Sequence, residues 1–262
     1  MQNDTLLEAG ASAIEVENEG ANGDIVVVCE HASRLVPAKL GDLGLNAAAL
    51  ESHIAWDPGA LELSRRLSSN LDAVLVYQRY SRLVYDCNRP PEAASAIPEK
   101  SEIFQIPGNK DISEAQRQAR VNEIYLPFRD GLFGILSYRR STGRPTILVT
   151  IHSFTPIYFG ERREVEIGIL HDSDSRFADA MLSEAQRQTQ KYVVKRNQPY
   201  GPADGVTHTL LKHGIANSIP NVMIEVRNDL LTSANEDLAI ATYLTTLIEK
   251  AASAMRASHT AN

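Results

Sequence analysis

Residues 25 to 33 read Ile25-Val26-Val27-Val28-Cys29-Glu30-His31-Ala32-Ser33, an apolar run that ends abruptly at a charged residue and a histidine. Four consecutive aliphatic residues, all of them β-branched, are typical of a strand buried on both faces of a parallel sheet. The polar end of this run is therefore expected at the carboxyl edge of the sheet. In open α/β folds the ligand binds at that edge, because the loops that leave the strands converge there.

Two later stretches have the same pattern. The run 146–151 leads into His152, and Val222-Met223-Ile224 leads into Glu225 and Arg227. Strand-like runs that alternate with helical segments predict an α/β fold: a three-layer α/β/α sandwich around a mixed, mainly parallel sheet. Because each run ends in a histidine or a glutamate, we expect one site assembled from distant segments, and a divalent metal, most simply zinc, as its occupant.

Length and composition predict one α/β domain of residues 24–262, preceded by a flexible N-terminal arm of residues 1–23. A formal net charge of −7 among 262 residues argues against a nucleic-acid partner. No apolar run approaches the roughly 18 residues of a membrane span, so no membrane partner is expected. Two cysteines in apolar stretches, with no secretory signal pattern, favour a reducing cytoplasm.

A hydrolytic zinc site needs three protein ligands and a fourth position for water. His31 and His152 meet this need, because each follows a predicted strand. A loop residue that only makes hydrogen bonds is the alternative for either one. Asp57 is the third candidate by elimination among the acids near the crevice, although it also stands at the N-cap position of a predicted helix, before Pro58. Glu30 is the rival ligand, although strand alternation turns it away from His31.

Further polar residues follow the predicted strands and could carry chemistry. Glu225 is a candidate general base, and a salt bridge to Arg227 is the alternative. Asn88 and Arg89 would ordinarily form a turn, but an arginine fork also matches a substrate carboxylate. Arg82 and Arg227 could act similarly, or could pair with structural acids. The remaining candidates are histidines for which a structural role is favoured: His53, His171, His208 and His213.

Three local expectations can be compared directly with the structure. Residues 82–86 resemble a strand, and residues 91–109 read as a long surface loop at the rim of the pocket. A capping-box pattern at 111–114 predicts the start of a helix that extends to about residue 140, with a kink at Pro127.

Five motifs, in this order, resemble the N-formylglutamate amidohydrolase family over roughly residues 25–231. They are Cys29-Glu30-His31-Ala32-Ser33, His53-Ile54-Ala55-Trp56-Asp57-Pro58-Gly59, Ser81-Arg82-Leu83-Val84-Tyr85-Asp86-Cys87-Asn88-Arg89-Pro90, His152-Ser153-Phe154-Thr155-Pro156 and Ile224-Glu225-Val226-Arg227. The resemblance implies a zinc carboxypeptidase-like fold with a single zinc ion at the strand ends.

The same resemblance implies a role for each matching residue. His31, Asp57 and His152 would be the zinc ligands. Glu225 would activate the attacking water and return the proton to the departing amine. Asn88 and Arg89 would bind the substrate carboxylate, with Arg82 and Arg227 nearby. Arg89 is also the candidate for stabilising the oxyanion.

The implied substrate is a small acidic N-acyl amino acid, with N-formyl-L-glutamate as the leading candidate. The chain differs from many relatives in two places. It reads Pro127-Phe128-Arg129 where relatives carry a histidine, and Arg163-Glu164-Val165 where they carry Arg-Pro-Trp. Two alternatives remain open: another zinc amidase or carboxypeptidase that acts on peptide or cell-wall fragments, and a non-catalytic relative that binds acidic amino acids.

Overall fold

Seven strands form one mixed sheet in the computed structural model, which describes residues 5–188 and 191–260. The strands are β1 (Ile14–Glu17), β2 (Ile25–Cys29), β3 (Val74–Gln78), β4 (Ile147–Phe154), β5 (Ile167–Leu170), β6 (Val194–Arg196) and β7 (Asn221–Arg227). Their order across the sheet is β1-β3-β2-β4-β7-β5-β6. The four central strands β3, β2, β4 and β7 are parallel, while β1 and β5 are antiparallel to their neighbours β3 and β7. The predicted mixed, mainly parallel α/β sheet is confirmed.

Helices cover both faces of this sheet. They are α1 (Ala47–Glu51), α2 (Ala60–Asn70), α3 (Glu114–Arg120), α4 (Leu126–Ser141), α5 (Arg176–Arg187) and α6 (Ala234–Thr260). One core joins alternate residues of β2, such as Val27, to α2, α5 and α6, and the other joins Val26 and Val28 to α4. The apolar run of β2 does not alternate with polar residues because both of its faces are buried. Within the described residues, no helix has the length and hydropathy needed to cross a bilayer.

The N-terminal stretch differs from the expected flexible arm. Ile14–Glu17 form the edge strand β1, antiparallel to β3. The backbone amides of Leu6 and Leu7 donate to the carboxylate of Glu123, and both leucine side chains are buried. The cause is the alternating pattern of residues 14–17, in which acids separate apolar residues. Residues 6–7 and 13–17 are therefore packed on the domain, while residues 8–12 and 18–20 are exposed. Residues 1–4 of the predicted arm lie outside the described part of the chain.

Two local predictions were wrong in detail. Residues 82–86 form turns rather than a strand. The capping box that opens α3 is made by Ser113 and Gln116, two residues beyond the predicted position. The predicted kink at Pro127 takes the form of a π-helical turn, Val121–Tyr125, between α3 and α4. Proline lacks an N–H, and its ring clashes with the carbonyl one turn earlier in an α-helix. A wider π-helical turn just before Pro127 accommodates both the missing hydrogen bond and the ring.

Candidate active site

Three neighbouring parallel strands bring the predicted histidines and glutamate to one edge of the sheet. His31 lies two residues after the end of β2, whereas His152 lies near the end of β4 and is paired in register with Glu225 of β7. Residues paired on adjacent strands project from the same face, so the side chains of His152 and Glu225 stand next to each other. The shared pattern of an apolar strand that ends in a polar residue therefore brings these side chains to the same place.

Asp57 reaches this edge from the loop before α2. Its backbone amide donates to the carbonyl oxygen of His31 at 3.0 Å, and its Oδ2 accepts from the amide of Ser153 at 3.3 Å. The predicted N-cap role for Asp57 is wrong, because Gly59 is the N-cap of α2. Gly59 has φ of +81°, and a Cβ there would lie 2.5 Å from Leu231. A glycine at this position allows the tight turn that directs the Asp57 carboxylate into the site.

The ligand candidates His31, Asp57 and His152 converge on one point. Oδ2 of Asp57 lies 3.2 Å from His31 Nδ1 and 2.9 Å from His152 Nδ1, and the two Nδ1 atoms are 3.1 Å apart. Ligand atoms at roughly 2.0–2.1 Å from a tetrahedral zinc lie about 3.3–3.4 Å from one another. The spacing of these three buried atoms is thus close to that of three corners of such a site.

Carboxylates behind the two rings determine which ring nitrogen faces the centre. His31 Nε2 lies 2.7 Å from Asp86 Oδ1, and His152 Nε2 lies 3.2 Å from Glu30 Oε2. Since an ionised carboxylate only accepts, we assign the ring proton of His31 to Nε2. Glu30 contacts His152 Nε2 as an ion pair without hydrogen-bond geometry, and its charge favours the same assignment there. The Nδ1 lone pairs are then directed at Asp57. Three lone pairs so close together repel one another unless a cation lies between them. The residues present therefore fit a bound metal ion.

The charges of the centre lead to the same conclusion. Four buried carboxyl groups meet there: Glu30, Asp57, Asp86 and Glu225. Arg82 is the cation that bridges two of them, Asp57 and Asp86. Burial alone would raise the pKa of Asp57, but His31, His152 and Arg82 outweigh it and hold that pKa well below its usual range. Burial opposes protonation of His152, yet Glu30 and Asp57 raise its pKa well above the usual value. The centre thus stabilises added positive charge.

Asp57 and Glu30, the two candidates for the third ligand, occupy different positions in the structure. Asp57 supplies an oxygen to the cluster of three, whereas the Glu30 carboxylate lies behind His152. Asp86 has the same place behind His31, a role that the sequence reasoning missed because residues 82–86 resembled a strand. Arg82 donates to Asp57 Oδ1 and Asp86 Oδ2, at 3.2 Å each, which is the structural pairing considered as its alternative role.

Glu225 stands apart from these pairs. Its side chain is buried, and its Oε2 has no hydrogen-bond partner among the described residues. Burial is the main reason that its pKa is raised, to about 7, and Asp57 raises it further against the opposing effects of His152, His31 and Arg82. The alternative salt bridge to Arg227 is not formed. Arg227 binds Asp229 at 2.8 Å and Glu166 at 3.5 Å, outside the residues that line the cavity.

A cavity of about 540 Å³ opens over this centre. Asn88 and Arg89 lie in its wall. The Asn88 side chain also holds residues 206–209 in place, because its Nδ2 donates to the Val206 carbonyl and its Oδ1 accepts from the Thr209 amide. Arg89 Nη1 donates to the carbonyl of Asn88 at 2.8 Å. The structure thus brings Arg82, Asn88 and Arg89 to the cavity and leaves Arg227 outside it.

The cavity also contains residues that the sequence reasoning did not select. His53, expected to be structural, lines the wall, and its Nε2 lies 3.0 Å from Glu102 of the 91–109 segment, as expected for a loop at the rim. A small hairpin of Ile157–Tyr158 and Glu161–Arg162 brings Tyr158 and Arg163 to the opposite side, beside Tyr200. Pattern and spacing gave no signal for these residues, because their position depends on contacts between distant loops.

The chain resembles known proteins both in sequence and in structure. The model of the N-formylglutamate amidohydrolase family matches residues 23–232. The crystal structure of gene product Atu2144 from Agrobacterium tumefaciens is 55% identical, with a TM-score of 0.93, over 96% of this chain and 99% of that chain. The crystal structure of N-formylglutamate amidohydrolase from Ralstonia eutropha JMP134 is 18% identical, with a TM-score of 0.65, over 94% of this chain and 100% of that chain. At that identity the likeness concerns the fold. No curated protein matched.

Proposed function

The chain belongs to the N-formylglutamate amidohydrolase family, and on that premise we propose that it is a zinc-dependent hydrolase that cleaves N-formyl-L-glutamate into L-glutamate and formate. The observation that carries the proposal is the convergence of His31, Asp57 and His152 next to the unpartnered carboxyl group of Glu225. Family membership supports amide hydrolysis in general, and the cavity arginines support an acidic substrate.

His31, Asp57 and His152 would hold the cation. Two imidazole nitrogens and one carboxylate oxygen form a donor set that suits zinc, with Glu30 and Asp86 behind the rings. When bound, the metal supplies Lewis-acid polarisation of the scissile carbonyl and lowers the pKa of a coordinated water. Arg82 balances the charge of Asp57 and Asp86, so that the carboxylates remain ionised and in place.

Glu225 moves the proton in this mechanism. A buried carboxyl group with a pKa near neutrality can accept a proton from the attacking water and later release it. In the proposed sequence, Glu225 takes that proton as the water oxygen attacks the formyl carbon. It then delivers the proton to the amine nitrogen as the C–N bond breaks, and glutamate and formate leave.

The cavity arginines would position the substrate. Arg89 is proposed to bind the α-carboxylate of the substrate, beside Asn88, and to help stabilise the oxyanion of the tetrahedral intermediate. Arg82 is already paired with two carboxylates, which supports an electrostatic role rather than direct substrate binding. Arg227 has its own partners outside the cavity, so substrate binding by Arg227 is not part of the proposal.

The test measures metal content and formate release from N-formyl-L-glutamate for the wild type and for Glu225→Gln. The variant keeps the shape of the side chain but cannot accept the proton, so we expect unchanged zinc content and a loss of kcat of about 10²–10⁴-fold. Undiminished turnover would remove Glu225 from the mechanism. Absence of formate release by the zinc-loaded wild type would contradict the substrate, and activity on a panel of peptide or cell-wall fragments would then favour the alternative amidase.

A further inference from the structure

Three arginines line the cavity, and they differ in how their charge is balanced. Arg82 pairs with Asp57 and Asp86. Within residues 5–188 and 191–260, neither Arg89 nor Arg163 forms an ion pair with a carboxylate. Asp86 acts on Arg89 electrostatically but is already bound by Arg82 and His31. A cavity that presents two guanidinium groups without an ion-pair partner is complementary to a ligand that carries two carboxylates.

Aromatic rings fix the orientation of Arg163. Its guanidinium carbon lies 4.3 Å from the ring centre of Tyr158, 4.8 Å from that of Tyr200 and 5.5 Å from that of Phe154. Nη1 donates to Tyr200 Oη at 3.0 Å and makes a longer contact to the Thr155 carbonyl. The described residues provide no hydrogen-bond partner for Nε or Nη2. With rings around the guanidinium, its remaining N–H edge is the part available to a planar carboxylate.

The backbone around Arg163 is held by residues that lie behind the cavity. The Arg163 amide donates to the Pro156 carbonyl at 2.8 Å, and the Arg163 carbonyl accepts from Arg227 Nη1 at 3.1 Å. Arg227 is in turn fixed by Asp229 and Glu166. Arg227, expected to touch the substrate, thus positions the backbone of another arginine.

A glycine allows the neighbouring ring to reach this place. Gly168 of β5 lies so close to the segment before Tyr200 that a Cβ at position 168 would meet the Gln198 carbonyl oxygen at 2.0 Å. A glycine at position 168 therefore lets this segment lie against the sheet, with Tyr200 beside Arg163. The Arg163 environment is thus assembled from three separate parts of the chain.

Resting on the proposed function, we propose that Arg163 binds the side-chain carboxylate of the substrate while Arg89 binds the α-carboxylate. A neutral side chain would leave the Arg163 edge without its anionic partner, and a site built for a polar group rejects analogues that lack it. Arg163 is on this account the residue that determines specificity for the acidic side chain.

The experiment measures kcat/KM for N-formyl-L-glutamate and for its neutral isostere N-formyl-L-glutamine. The zinc-loaded enzymes are the wild type, Arg163→Met, Arg89→Met and Arg162→Met, the last an exposed neighbour in the same hairpin and the matched control. We expect the wild type to prefer glutamate by about 30-fold, the order of a charge-assisted hydrogen bond. Arg163→Met should reduce that preference to within about threefold, by lowering activity on the glutamate substrate only.

The two controls separate this role from general damage. Arg162→Met should keep the wild-type preference, and Arg89→Met should lower activity on both substrates by the same factor, because both carry the α-carboxylate. An unchanged preference in Arg163→Met, or an equal loss on both substrates, would overturn the assignment of Arg163. A wild type that hydrolyses neither substrate would instead contradict the proposed function, so the two failures are distinguishable.

Discussion

Two groups of histidines in this molecule have opposite environments; His31, His152 and His213 are buried and His208 is half-buried. His31 and His152 each have a carboxylate at Nε2 and share Asp57 at Nδ1. His208 bonds only the Tyr125 hydroxyl, at 2.9 Å, and Nδ1 of His213 has no partner among the described residues. Burial lowers the pKa of His208 and lowers that of His213 to about 4, whereas the pKa of His152 is raised.

This difference shows that burial does not determine what a histidine does. The carboxylates of Asp86 and Glu30 fix the tautomer of the first group, so that its Nδ1 atoms face a common point. The second group lies in one helical segment around Leu210–Gly214, without acids that could orient the rings. The first group is therefore suited to hold a cation, and the second to remain neutral.

The largest expected effect is on zinc affinity, when a histidine of the first group (His31 and His152) is replaced rather than one of the second (His208 and His213). His152→Ala removes one of three ligand atoms, so the loss of zinc affinity should exceed the ~100-fold upper end seen for residues behind the ligands. His213→Gln should keep the wild-type zinc content. The measurement is zinc per protein by elemental analysis after dialysis against a weak chelator. Equal zinc in the two variants would show that the two groups do not differ as described.

A smaller effect is expected for the carboxylate behind a ligand. Asp86→Asn keeps the side-chain shape but no longer holds the Nε2 proton of His31 as a charged acceptor. Zinc affinity should fall about 10–100-fold, measured by competition with a chromogenic chelator. Glu30→Gln should act in the same direction through His152. Unchanged affinity in both variants would contradict the tautomer assignment.

The second group should determine part of the acid sensitivity of the metal-free protein. The folded pKa of His213 is about 4, below the ordinary value of about 6.5 in an unfolded chain. Its stabilising contribution is therefore complete above pH 6.5 and is lost as the pH falls toward 4. Between pH 7 and pH 5 the wild type should lose about 2 kcal/mol from this residue.

His213→Gln removes that pH-dependent contribution. Urea unfolding of both metal-free proteins at pH 7 and pH 5 measures it, and the difference between their unfolding free energies should shrink at pH 5. A difference that is independent of pH would show that His213 is not held neutral by burial.

The smallest effect is expected at His208. His208→Phe leaves the buried Tyr125 hydroxyl without its partner, which should cost about 1 kcal/mol of unfolding free energy. Introducing the same change into a Tyr125→Phe background should cost less, because the hydroxyl is then absent. Zinc content should be unchanged in both. An equal cost in the two backgrounds would exclude the hydrogen bond as the cause.

The sequence predicts well what depends on local pattern. The unbroken apolar runs of β2, β4 and β7 indicated buried parallel strands, and the polar residues at their ends indicated a shared edge. His31, His152 and Glu225 lie near one another for that reason. Asp57 reaches the same edge, although its predicted N-cap role was wrong because Gly59, two residues later and at positive φ, is the N-cap.

Contacts between distant segments could not be predicted from the local sequence pattern. Asp86 supports His31 from a turn that resembled a strand, and Arg163 reaches the cavity only through the packing of its hairpin against Tyr200. Arg227 was a candidate for substrate binding, but its guanidinium binds Asp229 instead. Which partner a charged side chain binds depends on the groups nearest to it in space, and residue spacing does not contain that information.

The central claim is that one cation lies between His31, Asp57 and His152. A crystal structure of the zinc-loaded enzyme, with anomalous data on both sides of the zinc edge, tests it most directly. We predict a single anomalous peak at about 2.0–2.2 Å from the two Nδ1 atoms and Asp57 Oδ2. A peak elsewhere, or a zinc ion bound through Glu30 with Asp57 turned away, would contradict the account.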